Sequence, residues 1–218
     1  MMHIRWGGED LCLLAEKAVL WKRRRTLLIA DPHFGKAAAF RDAGIPVPGG
    51  MTRTDLGRLD RLIGQTEVRR LVILGDFLHA RAGRSLEVTA ALADWRRRHS
   101  GVEVLLVRGN HDIHAGDPPQ EWRITVAGEP LADPPFLFCH EPAGRRGGLV
   151  MGGHVHPAVV LEGPGGEWLR APCFCFGADR AVVPAFGSFT GCKAIRPGPG
   201  ERVFVVGEGE VVEAAVGR

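Results

Sequence analysis

Five short apolar runs along the chain each break off into a polar loop. They are Thr26–Ala30 before Asp-Pro-His, 71–74 before Gly-Asp-Phe-Leu-His, 102–107 before Arg-Gly-Asn-His-Asp, 135–139 before His-Glu-Pro, and 148–151 before Gly-Gly-His-Val-His-Pro. Continuous apolar runs of this length, bounded by turn residues, read as buried strands. Helical periodicity lies between the first three. In 54–65, Leu56, Leu59, Leu62 and Ile63 share a face, with Thr54 placed as a cap. In 85–99, Ser85 is placed to cap the start, and Leu86, Ala90, Ala93 and Trp95 lean to one side. Arg96, Arg97 and Arg98 suit the negative end of that helix ahead of Gly101. After about residue 115 the pattern turns to short strands and tight turns, at 158–169 around Gly-Pro-Gly-Gly and at 202–214 around Gly-Glu-Gly. The pattern therefore predicts a βαβ-type first half and a β-rich second half. In α/β sheets ligands bind where loops leave the carboxyl ends of strands, so the five polar loops should converge.

Composition narrows the class without deciding it. The 218 residues, 45% hydrophobic and 24% charged, suit one globular domain spanning 1–218. No apolar stretch is long enough for a membrane span, and Gly8, Glu9 and Asp10 interrupt the apolar start, so no signal peptide is expected. Five cysteines without metal-type spacing argue for reduced thiols in a cytoplasm, with Cys173 and Cys175 packed in an edge strand. The net charge of +3 is mild. The basic runs Lys22–Arg25, Arg96–Arg98 and Arg145–Arg146 read first as solvated turns and helix ends, and only weakly as phosphate contacts.

The chemistry is concentrated in the loops. Seven of the nine histidines fall in or just after these loops, counting His114, leaving His3 and His99 for solvated roles. The ligand-capable set is Asp31, His33, Asp76, His79, Asn110, His111, Asp112, His140, His154 and His156. A lone histidine is usually structural, but clustering in five convergent loops points to metal. Imidazole, carboxylate and carboxamide without thiolate suit manganese, with iron or zinc as alternatives. So many donors exceed what one catalytic ion with an open position takes, so two divalent ions are the economical expectation. Such a pair can clamp the attacking and departing oxygens of a displacement at phosphorus.

The ordered set D-x-H, G-D-x-x-H, G-N-H-D, a lone H and G-H-x-H resembles the calcineurin-like metallophosphoesterase superfamily. That resemblance implies a four-layer α/β/β/α sandwich with two mixed sheets and a dinuclear site at the strand carboxyl ends. It implies Asp31, His33 and His156 on one metal, Asn110, His140 and His154 on the other, and Asp76 bridging, with a metal-bridging hydroxide as nucleophile. His111 then faces the scissile phosphate as acid or charge stabiliser, paired with His79, and Asp112 orients their loop. The form Gly75-Asp76-Phe77-Leu78-His79 is similar to that of the repair nucleases of the superfamily and departs from the protein phosphatases, which carry Asp at the last position. Residues 31–48 and 182–192 further resemble the bacterial ligase-associated DNA-damage-response endonucleases. From this come DNA as substrate, a functional link to a DNA ligase, helicase and exonuclease, and Lys36 and Arg41 as substrate contacts. By the same resemblance 184–191 covers the edge of the site. Two alternatives stay open: a phosphodiesterase for small nucleotides, and a non-catalytic scaffold of the same fold, which would be expected to have lost the histidine of Gly-Asn-His-Asp.

Overall fold

The structure, a computed structural model, describes residues 1–145, 147–163 and 165–214. Arg146, the second residue of one basic run, and Pro164 of the Gly-Pro-Gly-Gly turn lie outside the described residues. Strands β1 (Met2–Trp6), β2 (Glu9–Leu14), β3 (Ala18–Trp21) and β4 (Thr26–Ala30) form an antiparallel meander. Helices α1 (Lys36–Asp42) and α2 (Met51–Thr66) then lead to β5 (Arg70–Leu74), α3 (Leu86–Arg98) to β6 (Glu103–Val107), and α4 (Asn110–Ala115) to β7 (Ile124–Ala127). The seven strands lie in sequence order, and β4 to β7 are parallel.

The rest of the chain forms a nine-stranded mixed sheet. Its strands are β8 (Leu131–Asp133), β9 (Phe136–Phe138), β10 (Leu149–Gly152), β11 (Pro157–Glu162), β12 (Trp168–Phe176), β13 (Arg180–Val182), β14 (Lys193–Ala194), β15 (Arg202–Gly207) and β16 (Glu210–Ala214). The order is β14-β11-β12-β13-β10-β9-β8, with β15 and β16 continuing from β12. The expected pair of mixed sheets with helices on them is thus present. The helical layer covers the outer face of the first sheet. Among the described residues none after Trp122 is helical, and Ile195 packs on the outer face of the second sheet over Val159, Cys173, Cys175 and Val203.

Why β4, β5 and β6 read as unbroken apolar runs is visible in the packing. Leu27, Ile29, Leu71, Ile73, Val104 and Leu106 face the helices, while Leu28, Ala30, Val72, Leu74 and Val107 face the second sheet. Strands buried on both faces have no solvent side on which to place polar residues.

Several expectations shift. Helix α2 begins at Met51 behind Gly50, so Thr54 is not its cap, whereas Ser85 Oγ does accept the Val88 N–H at 3.3 Å. His99 is not merely solvated: its Nε2 lies 2.6 Å from Asp60 Oδ1, and Arg98 pairs with the same carboxylate, tying α3 to α2. β12, which pairs with β11, β13 and β15, is not an edge strand: Cys175 lies between Val182 and Val203, Cys173 pairs with Val205, and burial pushes both thiols up to about 12. Thiols so far from ionisation are inert packing groups. The three N-terminal strands were not anticipated: the apolar runs 11–14 and 18–21 are as long as 71–74, but neither ends in a loop of ligand-capable residues. No described helix is long and apolar enough to cross a membrane.

Aromatic rings fill the space between the sheets. Phe136 stacks on Trp6 at 5.2 Å and meets the Trp21 edge at 4.8 Å. Phe136→Ala should therefore cost about 3–5 kcal/mol in urea unfolding. Trp168→Ala, on a side chain 69% exposed, should change stability by no more than about 0.5 kcal/mol.

Candidate metal centre

The carboxyl ends of β4, β5 and β6 from one sheet meet those of β9 and β10 from the other, and all five polar loops converge there. Close approach needs residues without side chains. A Cβ on Gly75 would lie 2.1 Å from His140 Nδ1, and one on Gly153 would lie 2.2 Å from Asp31 Oδ2. Asp31, His33, Asp76, His154 and His156 all have φ between 45° and 66°. Left-handed backbone at non-glycine residues costs on the order of 1–3 kcal/mol each and clusters where function demands a particular aim.

Hydrogen bonds assign the imidazole protons. His140 Nδ1–H donates to Leu74 O at 3.3 Å, leaving the Nε2 lone pair to face Asn110 Oδ1 at 2.9 Å, His154 Nδ1 at 2.9 Å and Asp76 Oδ2 at 3.5 Å. His156 Nδ1–H donates to Gly191 O at 3.0 Å, so its Nε2 lone pair faces Asp31 Oδ1 at 3.5 Å. His33 Nε2 lies 3.6 Å from Asp76 Oδ2, and its Nδ1 is 3.3 Å from His79 Nδ1. Burial, reinforced by neighbouring His156, His111, Lys36 and His79, drives His33 far below the ordinary histidine range, so the ring is neutral and available as a donor. Burial pushes the Asp76 carboxyl up, with Asp31 adding to the push against the pull of His140.

Lone pairs of the acceptors so assigned thus point at one another across 2.9–3.5 Å. Asp31 Oδ1 is buried with no hydrogen-bond partner, while Oδ2 accepts the His154 N–H at 2.8 Å. Bare acceptors at such separations repel unless a cation stands among them, and oxygen and imidazole donors suit a divalent ion. Ligand atoms of Asp31, His33 and His156 come within 4.8 Å of one another, as do those of Asp31, Asp76 and His140. Asp31 is common to both groups, Asp76 Oδ2 lies 3.6 Å from His33 Nε2 and 3.5 Å from His140 Nε2, and His33, His79 and His111 form a third group within the same span. The residues present fit divalent ions.

His79 and His111 stand beside this cluster, their rings stacked at 4.8 Å and 23°. His111 N–H donates to Asp76 Oδ1, its Nδ1–H donates to His79 O at 2.7 Å, and Nε2 lies 4.0 Å from Asp76 Oδ2. Burial lowers His79 to about 4. Asp112 holds the loop by accepting the Leu78 and Gly109 N–H groups, and burial raises its carboxyl to about 6. Lys36 follows the His33 loop and is half-buried, with its ammonium lowered by burial. Arg41 is turned away: exposed, it donates to Pro48 O at 3.1 Å. Phe189 packs on Phe40 at 5.6 Å, and Phe40 lies 6.2 Å from the His79 ring, so the 184–191 segment does border the site.

Three features escaped the sequence reading. Glu129 Oε2 accepts the His140 N–H at 2.7 Å, Gly191 offers a carbonyl to His156, and Asn110–Ala115 is helical from its first ligand-capable residue. Arg84 Nη1 holds the far end of that helix, donating to Ala115 O at 3.1 Å and Asp117 O at 3.3 Å. Only the capping relation of Asp112 to Gly109, three residues apart, carries a sequence signal. The other contacts pair residues distant in the chain or use backbone atoms.

The calcineurin-like phosphoesterase model matches residues 24–154, more than half of the chain and stopping just short of His156. The crystal structure of nuclease MPE from Pseudomonas putida is 43% identical, covers 98% of this chain and 99% of its own, and superposes with a TM-score of 0.85. Yfce, a phosphoesterase from E. coli, is 14% identical over 88% of this chain and 99% of its own, with a TM-score of 0.40, a likeness that carries no argument. No curated protein matches the chain. The convergent Asp, His and Asn donors, the family match and the extended identity agree, and the chain belongs to the calcineurin-like phosphoesterase family, as a hydrolase of phosphoric esters.

Proposed function

We propose that the chain is a two-metal phosphodiesterase that cleaves DNA, working as a single domain in the cytoplasm and serving DNA repair. The observation that carries the reading is the stacked His79–His111 pair set beside Asp76, whose Oδ2 faces both His33 and His140. A diester has a poor alkoxide leaving group, and an imidazole aimed beside the metals answers that need. The similarity to a nuclease supports nucleic acid as substrate. The resemblance of 31–48 and 182–192 to ligase-associated repair endonucleases supports DNA, and a functional link to a ligase, helicase and exonuclease.

In this reading Asp31, His33 and His156 hold one ion, Asn110, His140 and His154 hold the other, and Asp76 serves both. Manganese is the first choice for this donor set. Bound divalent ions supply Lewis-acid polarisation of the phosphate and activation of water. The chain's own residues do the rest. His111, fixed by its Nδ1–H bond to His79 O, turns Nε2 toward the space in front of Asp76, where its imidazolium form, protonated at both nitrogens, can pass the Nε2 proton to the departing oxygen and keep the Nδ1 proton on His79 O. Asp112 keeps that loop rigid through two backbone N–H groups. His79 supports His111 by stacking and also accepts the His33 Nδ1–H, which fixes the tautomer of a ligand. Lys36 is the side chain best placed to meet a substrate phosphate. Arg41, held on Pro48 O, would have to swing free to do so.

Elemental analysis of protein saturated with manganese should return two ions per chain. Asp76→Asn should weaken both together, because its Oδ2 faces His33 and His140 alike. Retention of a single ion by the wild type would sink the two-metal reading.

With manganese added to the metal-free protein, a phosphodiester reporter should turn over faster than a monoester, and circular DNA should be nicked. Dominant monoesterase activity, or action confined to linear ends, would overturn the DNA endonuclease assignment.

His111→Ala should reduce turnover by about 10²–10⁴-fold with metal content unchanged, and a leaving group of low pKa should partly restore it. His79→Ala should lose less turnover. The double variant should be scarcely worse than His111→Ala, since groups acting as a unit are non-additive. Loss of metal from His111→Ala would show that residue to be a ligand.

A further inference from the structure

Beneath the edge of the metal centre lies a set of charges, Asp55 buried and Arg58 and Lys17 half-buried, that the proposed chemistry does not use. Asp55 on α2 is 4% exposed, and burial pushes its carboxyl up. Arg58, one turn on, pairs with it at 3.1 Å, and Lys17, from the turn after β2, is lowered to about 8 by burial. Buried charges are poor sources of stability, since desolvation cancels most of their attraction. What these groups touch suggests a different purpose.

They all meet the segment 186–188. Both Asp55 oxygens accept the Ser188 N–H, at 3.2 and 3.1 Å. Arg58 donates to Phe186 O and lies 4.1 Å over the Phe186 ring. Lys17 Nζ reaches Gly187 O at 3.5 Å. From its other side the same segment is laid along the end of β4, where Phe186 N–H donates to Ala30 O at 2.7 Å and Gly187 N–H to Asp31 O at 3.3 Å. The strap ends at Gly191, whose carbonyl takes the His156 Nδ1–H at 3.0 Å, and Lys193 N–H then donates to His156 O at 2.9 Å.

We propose that Asp55 and Arg58 are positioning residues for His156. They hold the 185–191 strap, and the Gly191 carbonyl at its end decides which nitrogen of His156 carries the proton and turns Nε2 toward Asp31. This rests on reading Asp31, His33 and His156 as one ion's ligands. Outer partners that orient a metal-bound histidine are typically worth about 10–100-fold in metal affinity.

The test uses the full chain, stripped of metal, as wild type, Asp55→Ala, Asp55→Asn and Gly187→Ala. The last leaves Asp55, Arg58 and Lys17 intact, but its new Cβ would sit 2.5 Å from Pro32 O and from Thr190 Oγ1, forcing the strap away from the Asp31–His33 loop even if Asp55→Ala fails to fold; the His156 tautomer then separates a strap effect from a direct shift of that loop. Calorimetric titration with Mn²⁺, well below the unfolding temperature, should show one ion weakened about 10–100-fold in Asp55→Ala and Gly187→Ala, the other nearly unchanged. Asp55→Asn, which keeps an oxygen for the Ser188 N–H, should lose less. In the metal-free protein, ¹⁵N spectra should show His156 passing from a single tautomer to a mixture in both disruptive variants. Folded variants that keep the wild-type tautomer, or that lose both ions equally, would overturn the proposal. A wild type binding fewer than two ions would instead refute the metal reading, while the tautomer spectra, which need no metal, would still decide the role of the strap.

Discussion

A carboxylate with no exposed surface, one oxygen hydrogen-bonded and the other bare, is costly to keep ionised unless a cation stands opposite it, and Asp31 is such a group. It sits where both sheets end. Its Oδ2 takes the His154 N–H from the second sheet, and its backbone carbonyl takes Gly187 N–H from the strap. Its Oδ1 faces His140 and His156, each at 3.5 Å. With no cation there, Asp31 Oδ1 and the His156 Nε2 lone pair would confront each other across the sheet junction.

The same demand explains the backbone around it. Five ligand-capable residues adopt left-handed conformations, and glycines occupy the points where loops from opposite sheets nearly touch. Such strain persists only when the surroundings over-determine it. Here they do so through two apolar layers. Both faces of β4, β5 and β6 are packed, and Phe136, Trp6 and Trp21 lock one sheet to the other. The rigid layers bring the donors together, and the polar contacts from Glu129, Asp112, Arg84 and Gly191 then set their aim.

Burial divides the histidines by task. His33, deep and surrounded by other imidazoles, is held neutral and presents a lone pair. His111, partly open, keeps one nitrogen fixed on a carbonyl and the other free toward the centre. The proposed division between a donor to metal and a donor of protons thus rests on which neighbours each ring meets.

The order of the polar motifs and the strands preceding them were legible from hydrophobic pattern, because buried parallel strands must be apolar throughout and their exits must turn. Ser85 as a cap and the face of α2 built on Leu56, Leu59, Leu62 and Ile63 were legible for the same local reason. Residue types in the five loops were enough to name the class of chemistry and the family. Tertiary structure alone decided that His99 pairs with Asp60, that Cys173 and Cys175 lie inside a sheet, and that Arg41 turns to Pro48. It alone showed that Asp55, on a helix, reaches Ser188, and that the carbonyl of Gly191 reaches His156. Local pattern records which face of a segment is apolar. Proton placement and ligand aim depend on contacts between residues far apart in the chain, often through backbone atoms that every residue possesses, and those leave no mark in the sequence.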